Sequence, residues 1–314
     1  MKCRFTIAAA ILLIPMPQED PPAWGESVAP PRDVTNQTLK DEDALAALQK
    51  PGKILFEDDF EGGKESLAKY FELRGVSDGR VSLDTEPHRG KTSLRCVAPD
   101  RDGAASGSGA SAWLGTEGHG RVYFRRYIRF ARDYDQGNLN HTGGGLAGVA
   151  GSSKWEGMGE AGVRPRGDDR FTCGFEPWRD WGRENAPGYM FLYTYWVDMK
   201  QGRDGNWWGN MLEPPKERRV VPKRGEWVCL EQMVQVNDIG ESNGELAAWI
   251  DGELYMHRKG IRWRTDERVR VKRFNLGIYI HRAERENVVW YDDVVVSTGY
   301  IGPTDDRSAA RKRD

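Results

Sequence analysis

Several stretches of this sequence carry side chains able to move protons or hold charge. In "FLYTYW", Tyr193 and Tyr195 stand two residues apart, the spacing that puts both phenols on one face of a strand. His141 stands in "GNLNHTGGG" and His281 in "YIHR". Arginines and further phenols accompany them: Arg125 and Tyr127 in "RVYFRRYIRF", Arg164 and Arg166 in "GVRPRGDDRF", Arg273 and Tyr279 in "VKRFNLGIYIH". A phenol or an imidazole can give or take a proton, and an arginine offers a planar fork of donors to a carboxylate. With 12 Trp and 11 Tyr, the chain is also rich in rings that present an apolar face and a polar edge. Such rings suit a sugar; packing between sheets is their other use. Two adjacent acids, Asp292 and Asp293 in "NVVWYDDVVVSTGYIGP", interrupt a run that otherwise reads as a buried strand. A buried carboxylate needs a partner, so at least one of them must hold something.

The elements that position these groups are strands. In "RVYFRRYIRF" one face carries Val122, Phe124, Ile128 and Phe130, and the other Arg121, Tyr123, Arg125, Tyr127 and Arg129. "YMFLYTYWV" collects Tyr189, Phe191, Tyr193 and Tyr195 on one face. "VKRFNLGIYIH" sets Phe274, Leu276, Ile278 and Ile280 against Arg273, Asn275, Tyr279 and His281. Asp251-Gly252 in "ELAAWIDGELYMH" suits a type I′ hairpin turn. Helical periodicity is nearly absent. The expected architecture is all-β: a sandwich of two antiparallel sheets, one exposing a polar-aromatic face as a groove.

The sandwich is expected over residues 53–304, after a leader at 1–19 and a Pro- and charge-rich linker at 20–52, and before a disordered charged tail at 305–314. The opening "MKCRFTIAAAILLIPMP" reads as a secretory signal or an N-terminal anchor, which implies a secreted or periplasmic protein. Apart from that segment no membrane contact is expected. Basic and acidic residues number 46 and 48, so no global charge argues for nucleic acid. Beyond Cys3 the cysteines are Cys96, Cys173 and Cys229, an odd remainder that leaves room for one bridge and defines no disulfide framework. A monomer is expected.

The stretches "FEDDFEGG", "VSLDTEPHRGKTSLR", "GRVYFRRYIRF", "WVCLEQMVQVN…GELAAWIDGELY" and "VVWYDDVVVSTGYIGP" occur in the order seen in the concanavalin A-like β-jelly-roll polysaccharide lyases. Over Ile54 to Pro303 the chain resembles the glucuronan lyases and the fungal cellulose-induced jelly-roll protein, and more loosely the viral and bacterial alginate lyases. The resemblance implies a structural Ca²⁺ where the first strand, a loop and the last strand converge. Carried over by position, its ligands would be Glu61, the carbonyl of Arg89, the side chain of Thr92, and Asp293. Asp292 facing solvent and Asp293 paired with an arginine is the other reading.

The resemblance also implies an acidic polysaccharide as partner and β-elimination as the reaction. The C5 proton of a uronic acid lies α to a carboxylate, so that charge must be neutralised before a base can work. His141 aligns with the asparagine-histidine pair of the fungal relatives, as carboxylate neutraliser or base. Tyr193 and Tyr195 occupy the place of paired tyrosines that serve as base and acid. His281 stands where the fungal pattern has a tyrosine. Arg125, Tyr127, Arg164, Arg166, Arg273 and Tyr279 are the expected substrate-binding residues. Trp207 and Trp208 in "GNWWGN" would stack sugars at the rim or anchor the loop. In "RFTCGFEPWR", Thr172 and Gly174 replace a serine and an arginine of the alginate-lyase pattern, and no lysine precedes Gly143 to Gly145. A different uronide, or a non-catalytic carbohydrate-binding jelly roll, is the alternative. "HTGGGLAGVAGSSK" lacks the Lys-Ser/Thr ending of a phosphate loop, no histidine pair has zinc spacing, and Glu231 has no second acid on its strand for hydrolysis.

Overall fold

The computed structural model describes residues 31–304; the expected leader, the start of the expected linker and the expected tail lie outside the described residues. Two antiparallel sheets face each other. The back sheet runs Arg32–Asp33, Glu253–Ile261, Gly244–Ile250, Trp227–Gln235, Arg121–Phe130, Asn287–Ser297, Ser93–Ala98 and Val81–Asp84, with Ile54–Asp58 also paired to Asn287–Ser297. The front sheet runs Asn210–Leu212, Tyr189–Tyr195, Arg170–Trp178, Gly145–Val149, Arg270–Ile280, Ser106–Trp113 and Glu72–Arg74, with the short Asn140–Thr142 strand also paired to Arg270–Ile280. This is the sandwich of two antiparallel sheets that the period-two runs demand, and the all-β jelly roll that the resemblance implies.

The alternation fixes which side chains meet. Val122, Phe124, Ile128 and Phe130 of the back sheet share one core with Phe171, Cys173, Phe175, Phe274, Leu276, Ile278 and Ile280 of the front sheet. The rings of Phe124 and Phe274 sit 5.0 Å apart across the sheets. Burial of this kind stabilises by about 1.5–3 kcal/mol per large apolar side chain. The hairpin at Asp251-Gly252 forms as expected, with φ of 51° and 84°. Cys96, Cys173 and Cys229 are buried free thiols, so the optional bridge is not made.

Two expectations change. Within the expected linker, residues 31–52 are docked on the sandwich: Arg32–Asp33 pairs with Lys259 and Arg258, helices Thr35–Lys40 and Glu42–Leu48 follow, and Leu48 packs with Tyr123, Met233, Trp249 and Leu254. The Tyr/Arg stripe of Arg121–Phe130, moreover, belongs to the back sheet and points away from the front sheet's groove. Arg125 and Tyr127 are buried beneath the chain's C-terminal segment. The Arg125 guanidinium donates to the carbonyls of Gly302 and Asp293, both at 3.1 Å. The Tyr127 hydroxyl accepts from Thr304 N at 2.9 Å. Their expected substrate-binding role is therefore corrected: period two gives the face of a strand but not the sheet it joins. Glu231 lies under the same segment, accepting from Ile301 N and Gly302 N at 2.9 and 2.8 Å.

Candidate active site

The outward face of the front sheet holds a cavity of about 380 Å³. It brings together His141, Tyr193, Tyr195 and Arg273 from three separate stretches of the sequence. Register explains the convergence. His141 lies opposite Tyr279, Gly174 opposite Tyr193, and Thr172 opposite Tyr195. His281 follows the last residue of Arg270–Ile280, and its backbone N–H donates to Leu139 O at 3.0 Å, two residues before His141. The two histidines so meet: Nε2 of His281 stands 3.3 Å from Nε2 of His141. The His141 ring packs 4.9 Å from Tyr193 and stacks at 6.1 Å on Tyr279.

Glu176 completes the cluster and went unnoticed in the sequence. Its Oε2 is 2.9 Å from His141 Nδ1, and its own side chain is buried. It continues the Thr172, Gly174 alternation by one step, while Phe171, Cys173 and Phe175 face the core. Gly174 leaves room for it: a Cβ there would lie 2.4 Å from Glu176 Oε1 and would push that carboxylate aside. Arg74, Asn275, Glu72 and Glu160 also line the cavity and were not expected.

The electrostatics set the histidines apart. Burial disfavours the imidazolium at His141, but the Glu176 carboxylate more than offsets it and raises the pKa above the ordinary histidine value. At His281 burial lowers the pKa, and the neighbouring His141 lowers it further. The opposite directions make His141 the better proton holder of the pair and His281 the better acceptor: with both ring nitrogens protonated, His141 would donate from Nδ1 to Glu176 and from Nε2 to His281. Protons on two such close groups leave in steps that belong to the pair. His141 still offers 40% of its side chain to solvent, so a ligand can reach it.

The tyrosines are held by backbone donors. Gly209 N donates to the Tyr193 hydroxyl at 2.9 Å, and Gly162 N to that of Tyr195 at 3.4 Å. Burial, with Tyr195 alongside, pushes the Tyr193 pKa well above the ordinary phenol value, so Tyr193 keeps its proton and suits an acid better than a base. Arg273 lines the cavity, but its guanidinium is spent on the carbonyls of Lys154 and Glu156, at 2.7 and 3.0 Å. Arg164 and Arg166 do not line it. Arg164 donates to Val197 O and lies over the Trp207 ring, and Arg166 pairs with Asp168 in solvent. Trp207 packs against the core, whereas Trp208 is exposed and donates to Asp204.

The four expected calcium ligands lie around the loop at residues 88–92. Glu61 Oε1 accepts from Lys91 N at 2.7 Å and Thr92 N at 2.8 Å. Asp293 Oδ2 is 2.7 Å from His88 Nδ1, and Asp292 Oδ2 accepts from His88 N and Arg89 N at 2.7 and 3.2 Å. Both acids therefore hold that loop, each from a strand bulge or turn; Asp293 itself has φ 46° at a register shift. His88 and nearby arginines keep the Asp293 pKa low against the effect of burial, while burial raises that of Asp292 to about 6. Among the described residues the second carboxylate oxygens, Glu61 Oε2 and Asp293 Oδ1, take part in no hydrogen bond. Among the described residues no three His, Cys, Asp or Glu gather as a metal cluster.

A two-sheet jelly roll whose front face gathers imidazoles, phenols and acids has the architecture of a polysaccharide-lyase domain. Residues 109–280, more than half of the chain, match the family Polysaccharide lyase 14, and the chain belongs to that family. Solved structures with the same fold include alginate lyase vAL-1 from Chlorella virus (14% identity, TM-score 0.58, covering 78% of this chain and 99% of that one). The marine PL-14 alginate lyase from Aplysia kurodai is similar at 12% identity and TM-score 0.57, over 80% of this chain and all of that one, 100%. Alginate lyase Aly36B aligns at 13% identity and TM-score 0.54, over 79% and 92%. At these identities the likeness is one of fold. No curated protein matches the chain by sequence.

The pairing of Glu176 with His141 makes a prediction. Glu176→Gln removes the charge that raises the His141 pKa, so the alkaline limb of a pH–rate profile should move to lower pH. An unmoved limb would exclude His141 as the group titrating there.

Proposed function

We propose that the front-sheet groove cleaves a uronic-acid-containing polysaccharide by β-elimination. The observation carrying this reading is the opposed histidine pair, His141 with Glu176 behind it and His281 in front, beside two phenols. A substrate carboxylate takes the place of His281 as acceptor of the His141 Nε2 proton, which neutralises the charge beside C5. Neutral His281 then takes the C5 proton through Nε2. The electron pair forms the C4–C5 double bond, the C4–O bond breaks, and the departing oxygen takes a proton from Tyr195 or Tyr193. Arg74, exposed on the cavity wall, is the cation for a neighbouring uronate.

The test is incubation with glucuronan, alginate, ulvan and pectic polymers. Ultraviolet-absorbing unsaturated ends should grow with time on at least one of them. Silence across the panel with binding retained would replace the reading by a non-catalytic carbohydrate-binding jelly roll. Thr172 and Gly174, where the alginate-lyase pattern has a serine and an arginine, favour a uronide other than alginate.

A structural Ca²⁺ at Glu61, Arg89, Thr92 and Asp293 is also proposed, on the free second oxygens of the two acids and two neutral oxygens around one loop. An ion bound at a hundred times its Kd would add about 2.7 kcal/mol to stability, so excess chelator should lower the melting temperature by about 5 °C or more. An unchanged melting curve removes the ion. Export is proposed on the N-terminal sequence; recovery of the chain from the periplasm or medium tests it.

A further inference from the structure

Beyond the cavity, rings continue along the same sheet face toward the Arg170–Trp178/Tyr189–Tyr195 hairpin end. His141 packs on Tyr193 at 4.9 Å, Tyr193 meets Phe191 at 6.3 Å, Phe191 meets Trp178 at 6.5 Å, and Trp178 meets Trp181 edge-on at 5.1 Å. All but the last ring are buried or half-buried; Trp181 is 63% exposed. Among the described residues Trp181 is the most exposed of the large hydrophobic side chains, and it ends a continuous line of rings that starts at His141.

The turn that displays it is built at some expense. Asp180 and Trp181 hold φ of 46° and 56° ahead of Gly182 at 85°, a left-handed run that side chains bearing a Cβ disfavour. Strain of this kind persists where surrounding contacts over-determine it. Here Gly182 N and Glu184 N both donate to Arg179 O, at 2.9 and 3.0 Å. The Asp180 carboxylate is bridged by Arg183 at 3.1 Å and by Arg219 at 3.8 Å, and Arg219 in turn lies 3.8 Å over the Tyr189 ring. The turn's backbone is thus held in place, and the ring it carries meets Trp178 edge-on. A Cβ on Gly182 would sit 4.0 Å from Asn138 Oδ1, which places the turn beside the segment leading into His141.

We propose that Trp181 is a preorganised stacking platform for a sugar unit of the same acidic polysaccharide, several units away from the bond broken at His141 and His281. The inference rests on the lyase reading for its ligand. The apolar C–H face of a pyranose ring covers the indole, and the side chain of Arg183, 74% exposed next to it, meets a carboxylate of the chain. Rigidity keeps the entropy cost of binding low.

The test measures affinities of glucuronan, alginate, ulvan and pectic polymers and their trisaccharides, with His281→Ala as background to prevent turnover. Trp181→Ala should weaken binding of the long polymer roughly five- to tenfold, leave the trisaccharide seated at His141 unchanged, and leave the melting temperature unchanged. Trp181→Phe should recover most of the loss. Equal polymer affinity with and without the ring overturns the platform, as does a loss shared equally by trisaccharide and polymer or accompanied by a lowered melting temperature. If the unsubstituted Trp181 protein binds the trisaccharide and the polymer alike with the same affinity, the platform falls and the lyase reading stands; if it binds no acidic polysaccharide, both fall.

Discussion

His281→Ala should lower kcat/KM on the cleaved uronan by two to four orders of magnitude, about what a positioned general base contributes. The loss should appear in kcat, because the imidazole acts on the C5 proton and not on the bound sugar chain. His281 is partly exposed at the end of its strand, so the melting temperature should hold. His141→Ala should cost a comparable factor for a different reason: the carboxylate then stays charged beside the carbanion-like centre. The two substitutions together should cost little more than either alone, since base and neutraliser serve one transition state. Additive losses would mean the histidines work independently. The pH profile follows from the same pair. Activity should fall in acid as His281 gains a proton, below the ordinary histidine pKa, and fall in alkali as His141 loses one, above it.

Arg126→Met should destabilise the fold by about 3–5 kcal/mol and lower the melting temperature by about 10 °C. Arg126 is fully buried between the sheets, and burial lowers its pKa to about 10. Its guanidinium donates to Gly143 O at 2.6 Å, Phe175 O at 3.1 Å and Gly144 O at 3.3 Å, and it lies over the Phe124 ring at 4.6 Å. Replacing a buried charge by an apolar side chain of similar volume is often neutral. Here the carbonyls stay behind. Gly143 O and Phe175 O would lose this donor in the core, while Gly144 O would keep Phe175 N at 3.1 Å, and the desolvation of the stripped carbonyls outweighs the relief of burying no charge. Those carbonyls belong to the glycine run two residues past His141 and to the residue before Glu176. Activity should therefore fall together with stability. Arg126→Lys should rescue only part, because an ammonium cannot fork across three carbonyls. A methionine variant melting within about 2 °C of the parent and fully active would show that Arg126 is dispensable.

Much of the fold was legible because period-two alternation reports burial directly. Phe274, Leu276, Ile278 and Ile280 enter the core and Arg273, Asn275, Tyr279 and His281 face outward, as the pattern requires. Alternation is silent on which sheet a strand joins. Arg125 and Tyr127 share the residue types of the groove, yet their strand pairs with Trp227–Gln235 and Asn287–Ser297 in the back sheet. Arg126 sits at a core position of that strand, and no local pattern announces that its partners are carbonyls of the opposite sheet. Residues 31–52 read as linker because their short helices carry little apolar surface; two leucines, Leu48 and the half-buried Leu45, dock against a cluster drawn from elsewhere in the chain.

For the site, residue types were readable and partnerships were not. His141, Tyr193 and Tyr195 reach one cavity, and His281 stands against His141. Glu176, whose carboxylate favours the charged form of His141, lies two residues beyond Gly174, and nothing in its own stretch announces a histidine partner on another strand. The same alternation that placed Thr172 and Gly174 on the groove face places Glu176 there. Arg164 and Arg166 failed to join because a loop arginine is satisfied by whatever acceptor folds next to it, here Val197 O and Asp168.

The most direct test of the central claim is the mass of the new non-reducing ends formed when the chain digests a uronan at neutral pH. Elimination predicts ends lighter by one water than those of hydrolysis, formed by the parent and lost in His281→Ala. Hydrated ends, or light ends made equally well without His281, would contradict the account.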